Sequence, residues 1–507
     1  MTVVIPSAPT GYTLSRREFL SDEELVTSPL TDVCQIRFVR DPPNRSWDRV
    51  VLRISRGPAA GTLKRMPTPE AVPTRASDVD RATRPDRDRA VDVARLAALV
   101  AVMFGHCALL LATIDSTGVR VGNILGALPA LAPITWILQV MPLFFLAGGA
   151  AGTYSRHAGT PWGTWLFTRA QRLCRPVFAY LAAWVVALVA VHLTLGADST
   201  AALGRECVAL LWFLGVYLVV LAFVPALTRM SSGRAVGALV TALVALAAVF
   251  DGLRFAVGTP AAGTANLVVV WLIPVVIGVA YARRLIRPRI ALAVAVCTLA
   301  GQIMLALVGP YDVSLVVTGA ERVSNVSPPT MLLALHCTWV SCLFVACARA
   351  VGRWAHRPRV WHVVAVGNGG AMTLYLWHIP VIAAAALGLH ALGLDAFDPH
   401  APEFWGLLAL RAVVFAVLMA IAFRLLSPIE HRPLPWWDDQ VQATGARSIV
   451  AGALICVAGA VLTLMAKNGL DGVVGWSALA GFVASTAAAR LCAGRTGPAG
   501  TGSAARG

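Results

Sequence analysis

Long runs of apolar residues recur about twelve times along the sequence and leave few folds open to it. A helix needs about 20 consecutive apolar residues to cross the hydrocarbon core of a bilayer. Charged residues make up only 13% of the chain, whereas a soluble domain carries about a quarter. We therefore predict an all-α, polytopic membrane protein with about twelve transmembrane helices. The runs lie at about 91–113, 134–153, 176–196, 207–228, 235–250, 265–282, 290–309, 330–348, 371–391, 404–426, 448–466 and 472–492.

Arginine carries almost all of the formal net charge of +16, because Lys64 and Lys467 are the only lysines. Membrane proteins concentrate basic residues in their cytoplasmic loops. If the N-terminus lies in the cytoplasm, each predicted inner loop is richer in arginine than the outer loops beside it. The pattern predicts a multi-pass protein of the cell membrane with both termini in the cytoplasm, and it does not favour nucleic-acid binding. The outer loops then hold only Arg120, Arg205, Arg254, Arg322 and Lys467.

The chain divides by composition into four segments. The first is rich in Pro, Arg, Ser and Thr, and within it Cys34–Val39 and Val50–Ser55 alternate as short strands would. The first apolar run begins too late for a cleaved signal peptide. The ten cysteines lie mostly in apolar runs without metal-ligand spacing, so we predict no metal site. The predicted segments are a disordered cytoplasmic region at 1–85, a membrane core at 86–435, two further helices at 436–492 and a flexible tail at 493–507.

The first predicted helix carries three ionisable residues, Asp92, Arg95 and His106. Such groups are costly within a membrane span, so each is a functional candidate. Arg95 and His106 are eleven residues apart and share one helix face, about 16 Å apart along the axis. We predict an active-site face on which Arg95 binds an anionic donor and His106 serves as general base or acyl acceptor. Alternatively, Asp92 pairs with Arg95 at the membrane boundary and His106 bonds to another helix.

A strip of three arginines precedes the third predicted helix and could cradle phosphate or simply anchor the loop. Of the other polar residues in predicted spans, His378 and Arg411 are the best functional candidates, ahead of His192 and His336. The long polar loop at 310–329 is predicted to shape a site on the outer side. The strip consists of Arg169, Arg172 and Arg175.

Six short motifs, in order, resemble those of the acyltransferase-3 family of integral membrane acyltransferases. The likeness covers about 86–435. Three features differ from the family pattern: Gly148 replaces its serine, the Glu–Pro element has one extra residue, and the last two helices are additions to a ten-helix core. The motifs are Asp92-Val-Ala-Arg95 through His106, Met141-Pro142-Leu143-Phe144-Phe145 through Gly149, Arg169-Ala-Gln-Arg172-Leu173, Leu211-Trp212-Phe213-Leu214, Tyr375-Leu376-Trp377-His378-Ile379-Pro380, and Pro428-Ile429-Glu430 through Pro433.

The resemblance implies transfer of an acyl group, such as acetyl, from a cytoplasmic acyl-CoA to a hydroxyl of a glycan, lipid or metabolite. Acyl-CoA would be a co-substrate, and no bound cofactor is expected. His106 would remove the acceptor's proton or carry the acyl group, with Arg95 and Asp92 on the same face. Burial in the membrane would limit hydrolysis of the thioester. The implied donor-binding residues are Arg169, Arg172 and Arg175, and the candidate pocket residues are Trp212, Phe213, Tyr375, His378, Arg411 and Glu430.

Other classes of protein fit the sequence less well. A twelve-span secondary transporter would show two similar halves with broken helices, and no clear repeat relates the first six predicted helices to the last six. A lipid-carrier glycosyltransferase would place acidic residues in an early outer loop, but loop 114–133 has only Asp115. A non-catalytic scaffold leaves the polar face of the first helix unexplained.

Overall fold

The computed structural model describes residues 76–494 except 116–117, 319–320 and 397, together with four short strands earlier in the chain. The chain forms two units, Met1–Thr74 and Arg75–Gly507. In the first unit β1 (Val3–Val4) pairs with β4 (Val51–Leu52), and β2 (Leu25–Thr27) pairs with β3 (Gln35–Arg37), both antiparallel. β3 and β4 lie within the two stretches predicted as strands. The predicted disorder of 1–85 and the predicted flexible tail fall mostly outside the described residues.

The second unit is helical, and twelve of its described helical segments are long and apolar enough to cross a membrane. This confirms the predicted fold class. The helices are α1 (Ala76–Ala82), α2 (Arg89–Leu109), α3 (Ile124–Ala127), α4 (Thr135–Leu138), α5 (Met141–Tyr154), α6 (Trp162–Ala209, kinked at Gly196), α7 (Leu211–Leu221), α8 (Val224–Leu227), α9 (Gly233–Val257), α10 (Asn266–Ala282), α11 (Pro288–Val308), α12 (Met331–Ala355), α13 (Pro358–Gly369), α14 (Ala371–His390), α15 (Phe404–His431), α16 (Gly445–Asn468) and α17 (Gly472–Ala493).

Two predicted boundaries next to the motif residues differ from the observed ones. The first span ends at Leu109, where the chain enters an antiparallel hairpin of β5 (Leu110–Asp115) and β6 (Gly118–Asn123). The third span begins at Trp162, so the arginine strip lies inside α6 and not before it. The apolar runs miss this start because the first turns of α6 carry polar side chains, and Pro176 sits within the helix without ending it.

The spans connect on two faces of the helical unit. One face, here called the arginine-rich face, holds the ends of α5, α10 and α12 and the start of α2, with the loops that contain Arg156, Arg229, Arg283, Arg287 and Arg357. The other, the opposite face, holds the ordered loop at 310–318. The number of candidate spans is even. If every span crosses the membrane, the first span begins and the last span ends on the same face.

The second span is broken just before α5. Gln139 leaves the helical conformation, with φ −78° and ψ 71°. An interrupted helix inside a bilayer must have its freed backbone groups bonded within the protein. His336 on α12 meets this need, because its Nε2 donates to the Gln139 carbonyl at 2.8 Å. The Gln139 side chain in turn donates to the Leu315 carbonyl at 2.8 Å, and this bond fixes the loop at 310–318 over the break.

The two C-terminal helices pack against the helices that carry two of the sequence motifs. Gly163 on α6 meets Gly452 on α16, and Gly215 on α7 meets Gly459 on α16, so both helix pairs approach through glycine. Small residues of this kind let helix backbones come close in a membrane. The segment before α16 adds an Arg175–Asp438 ion pair at 3.2 Å. The C-terminal helices therefore pack against α6 and α7 and help to hold them in position.

This support gives a stability prediction. A Cβ on Gly459 would lie 2.6 Å from the carbonyl oxygen of Gly215, so leucine at position 459 must push α7 and α16 apart. We expect Gly459→Leu to destabilise the protein by about 1–3 kcal/mol, the usual cost of overpacking. Gly237→Leu on α9 is the matched control, since nothing lies within 4 Å of its Cβ position. The melting temperatures of both variants in detergent test this prediction, and that of Gly459→Leu should be the lower. Equal melting temperatures would contradict the close α7–α16 contact.

Candidate active site

Two motif histidines meet in the interior of the helical unit. His106 lies three residues before the end of α2, and Nδ1 of its ring is 3.0 Å from Nε2 of His378 on α14. The two rings are nearly parallel, at 7°, with centroids 5.2 Å apart. The distance between the ring centroids exceeds the distance between the two nitrogens by 2.2 Å, which is about two ring radii. The imidazoles therefore lie edge to edge and share a hydrogen bond. His378 is fully buried and His106 is half-buried.

The hydrogen bonds assign the proton positions of this pair. Nδ1 of His378 is 2.7 Å from the backbone carbonyl oxygen of Tyr375. A carbonyl can only accept, so this nitrogen carries the hydrogen. Neither histidine has a carboxylate partner in the described part of the chain, and an unpaired charge is costly to bury, so both rings are neutral. Nε2 of His378 is then an acceptor, Nδ1 of His106 is the donor, and Nε2 of His106 retains a free lone pair.

The surroundings of the pair fix its position. Arg411 on α15 is buried and donates from Nη2 to the carbonyl oxygen of Cys107, next to His106. The hydroxyl of Tyr375 donates to the carbonyl oxygen of Leu210, at the start of α7. Both bonds join separate helices around the two imidazoles. Arg411 thus holds the last turn of α2, while Tyr375 ties α14 to α7.

An aromatic cluster lies beside Tyr375 and includes both aromatic residues of the α7 motif. The ring centroid of Phe213 lies 5.6 Å from that of Tyr375 and 5.1 Å from that of Phe145. Trp212 lies 5.7 Å from Trp271, a buried residue whose indole N–H has no hydrogen-bond partner. The cluster therefore forms an apolar wall that includes the free indole N–H of Trp271.

Three arginines gather on the arginine-rich side of this cluster. Arg95 and Arg172 lie near enough to Arg169 for their charges to oppose its own. Arg169 donates to the Ala151 carbonyl at 3.3 Å and lies over the Trp165 ring at 4.9 Å, but its buried Nε has no partner. Arg95 and Arg172 make no hydrogen bond or ion pair with the described residues. Planar guanidinium groups without a carboxylate partner are the type of group that proteins use to bind phosphate or carboxylate anions.

Three predicted site residues are occupied by other partners. Asp92 bonds to Arg87 at 2.6 Å and not to Arg95, so the alternative interpretation of an Asp92–Arg95 pair is wrong. Hydrogen bonding to Asp92 raises the pKa of Arg87. Arg175 pairs with Asp438, and Glu430 accepts from both the backbone N–H and the hydroxyl of Thr373, at 2.9 and 2.7 Å. Glu430 thereby caps the first turn of α14.

Tyr217 lies at the candidate site, although it belongs to none of the sequence motifs. A Cβ on Gly148 would lie 2.6 Å from the Tyr217 hydroxyl oxygen, so the phenol occupies the space that a serine at 148 would take. The phenol also lies close to Arg169. Although Gly148 replaces the serine of the family pattern, a hydroxyl group is still present at this place, because Tyr217 on α7 supplies it. Its position four residues after Phe213, on the same face of α7, is the one signal that could have revealed it.

The Gly148–Tyr217 contact predicts compensation between two substitutions. Gly148→Ser should destabilise the protein by about 1–3 kcal/mol, because the phenol has to leave its place. Combining it with Tyr217→Ala removes the clash, so the double variant should melt higher than the sum of the single effects predicts. Thermal unfolding of the four proteins measures this coupling. Strictly additive losses would mean that the two side chains do not compete for one space.

The helical unit thus brings together two hydrogen-bonded histidines, an apolar wall and three neighbouring arginines that carry no carboxylate partner. The sequence matches the model of the acyltransferase-3 family, an acyltransferase domain, over residues 88–426. This chain therefore belongs to that family and is a multi-pass membrane acyltransferase. Comparison with curated proteins and with solved structures gives no significant match.

Proposed function

We propose that the protein moves an acyl group, such as acetyl, from a cytoplasmic acyl-CoA to a hydroxyl of a glycan, lipid or metabolite. The observation that carries the proposal is the free Nε2 lone pair of His106, on the same face of α2 as the unpaired Arg95. In a cell membrane with the arginine-rich face in the cytoplasm, the donor enters from that face. This orientation follows the positive-inside rule and places both termini in the cytoplasm.

The arginine cluster serves as the donor's phosphate site. Arg95, Arg169 and Arg172 would pair with phosphate oxygens, which relieves the repulsion among the three guanidinium groups. Arg95 is about 16 Å from His106 along α2. A donor with a long, flexible arm between its phosphates and its thioester can cover this separation. The aromatic wall around Phe213 would then enclose the arm and exclude water from the thioester.

His106 acts as the general base in the transfer step. Its Nε2 takes the proton of the acceptor hydroxyl while that oxygen attacks the thioester carbonyl carbon. The tetrahedral intermediate then breaks its carbon–sulfur bond, and the leaving thiolate receives the proton from Nε2. The products are the acyl ester and free CoA, and His106 returns to its starting state.

His378 positions the base and does not touch the substrate. Its Nε2 accepts from Nδ1–H of His106, which keeps the lone pair of His106 on Nε2 and the ring in one orientation. When His106 becomes an imidazolium, the same bond is strengthened because its donor is charged. The pair thus stabilises the protonated base without a buried carboxylate.

The sidedness of donor use tests this proposal. The protein is reconstituted into sealed vesicles, and its orientation is determined by protease access to the arginine-rich loops. Labelled acetyl-CoA is then supplied outside the vesicles, with a membrane extract as the source of acceptor. We expect transfer only by molecules whose arginine-rich face meets the donor. Equal transfer from both orientations, or from the opposite one alone, would contradict the proposed donor entry.

A further inference from the structure

A second basic feature lies on the arginine-rich face, beside the arginine cluster. A cavity of about 800 Å³ opens among the ends of α2, α5, α10 and α12. We call it the basic cavity. Its charged and aromatic lining consists of Asp86, Arg87, Asp88, Arg89, Tyr154, Tyr281, Arg284, Arg287, Arg349 and His356.

Some charged residues of this lining have partners within the protein, and others have none among the described residues. Arg89 pairs with Asp80 at 2.7 Å, and Arg87 pairs with Asp92. Asp88 accepts from two backbone N–H groups at the start of α2 and from the Tyr154 hydroxyl at 2.8 Å. Three exposed arginines of the lining have no side-chain hydrogen bond or ion pair within the described residues. They are Arg284, Arg287 and Arg349.

Arg284 has a backbone conformation that is rare for arginine. Its φ is 57°, in the left-handed region, where a residue with a Cβ is strained. This conformation ends α10 in the usual left-handed way, with the Leu285 N–H donating to the Ala280 carbonyl at 2.9 Å. The Arg284 side chain lies close enough to Tyr154 and Tyr281 to interact with both phenols. The end of α10 thus brings a positive charge to the lining of the basic cavity.

The basic cavity is placed to receive a ligand that also reaches the arginine cluster. Asp88 lies seven residues before Arg95, two turns away on the same face of α2. Tyr154, its hydrogen-bond partner, lies three residues after Ala151, whose carbonyl accepts from Arg169. The cavity, the cluster and His106 therefore follow one another along α2.

The location of the basic cavity is unfavourable for binding a lipid headgroup. α10 and α12 are 72% and 61% buried within the protein, whereas α9, α11 and α15 are at most 22% buried and face outward. The basic cavity lies between the ends of the two more buried helices, and Pro288 at the start of α11 closes its outer side. Its two tyrosine rings also suit an aromatic base more than an acyl chain.

We propose that the basic cavity binds the phosphorylated nucleotide end of the acyl-CoA donor. This inference rests on the proposed function and extends it to the part of the donor farthest from the thioester. Arg287 and Arg349 contact the phosphate on the ribose, Arg284 closes over the base, and the pyrophosphate lies at the Arg95 cluster. The cavity then selects complete CoA over donors that lack the ribose phosphate.

Donor analogues test the inference in nanodiscs of neutral lipid. Acetyl-CoA, acetyl-3′-dephospho-CoA and acetyl-phosphopantetheine are compared for wild type, Arg287→Ala, Arg349→Ala and the double variant. Arg289→Ala is the matched control, because Arg289 is exposed nearby but does not line the cavity. We expect the wild type to favour acetyl-CoA over the dephospho donor by roughly tenfold to a hundredfold in kcat/KM. The double variant should lose this preference through a higher KM for acetyl-CoA, with kcat little changed.

Equal losses for all three donors in the double variant, or the same loss in Arg289→Ala, would overturn the inference and leave the proposed function standing. Losses that arise only when anionic lipid is added would assign the cavity to a headgroup instead. If the wild type transfers from none of the donors, the proposed function fails. Calorimetric binding of adenosine 3′,5′-bisphosphate to the same proteins then tests the cavity alone, and equal affinity of wild type and double variant would refute it.

Discussion

Replacing His106 with alanine is expected to lower the rate of acyl transfer by roughly a thousandfold, within the range of 10²–10⁴ that general-base catalysis contributes. The loss should fall on kcat, because His106 acts on the reacting atoms and the arginine cluster remains intact. His192→Ala is the matched control, since His192 lies exposed on α6, away from the pair. Steady-state transfer by purified, correctly folded proteins gives the comparison.

His378→Ala adds a second, distinguishing result. Because His378 only fixes the orientation and tautomer of His106, its loss should slow transfer by roughly tenfold to a hundredfold, and by less than the loss of His106. The double variant should be no slower than His106→Ala alone, since residues that act as a unit are not additive. Independent, multiplying losses would contradict the His106–His378 chain.

Arg95→Ala and Arg169→Ala are expected to raise the KM for the acyl donor by roughly tenfold to a hundredfold each, because a charged hydrogen bond to phosphate is lost. The apparent affinity for the acceptor should change little. Arg229→Ala serves as control for a general loss of positive charge, because Arg229 is exposed on the same face outside the cluster. Donor titrations at a fixed acceptor concentration measure these effects.

The arginine variants also separate two roles within the predicted strip. Arg175 is bound to Asp438, so Arg175→Ala should lower thermal stability in addition to any effect on donor binding. Arg172→Ala should act on the donor alone, since Arg172 has no such partner among the described residues. If Arg95→Ala and Arg169→Ala left the donor KM unchanged, the cluster would not be the phosphate site.

The sequence predicted the twelve spans because each is a local property of about 20 residues. It also identified His106 and His378, but not their contact, since 272 residues separate them and no local pattern encodes the pairing. Spacing placed Asp92 beside Arg95 on one helix. In the structure, Asp92 forms its ion pair with Arg87 instead. Arg87 precedes α2, so its side chain can reach back to the first turn of that helix.

Two further features depended on tertiary contacts. The arginine strip was assigned to a loop because its side chains are charged, although these residues form one side of α6. Gly148 suggested a missing hydroxyl, whereas Tyr217 on α7 brings its own hydroxyl to the same place. In both cases the residue type was correctly noted, and the packing of a neighbouring helix decided what it does.

The most direct measurement is the fate of a labelled acetyl group when acetyl-CoA meets the wild-type protein in nanodiscs with an extract of hydroxyl-bearing acceptors. We expect label to leave CoA and to be recovered as an ester in the extract, and we expect His106→Ala to block both changes. Recovery of the labelled ester at the same rate with His106→Ala would contradict the assignment of His106 as the base.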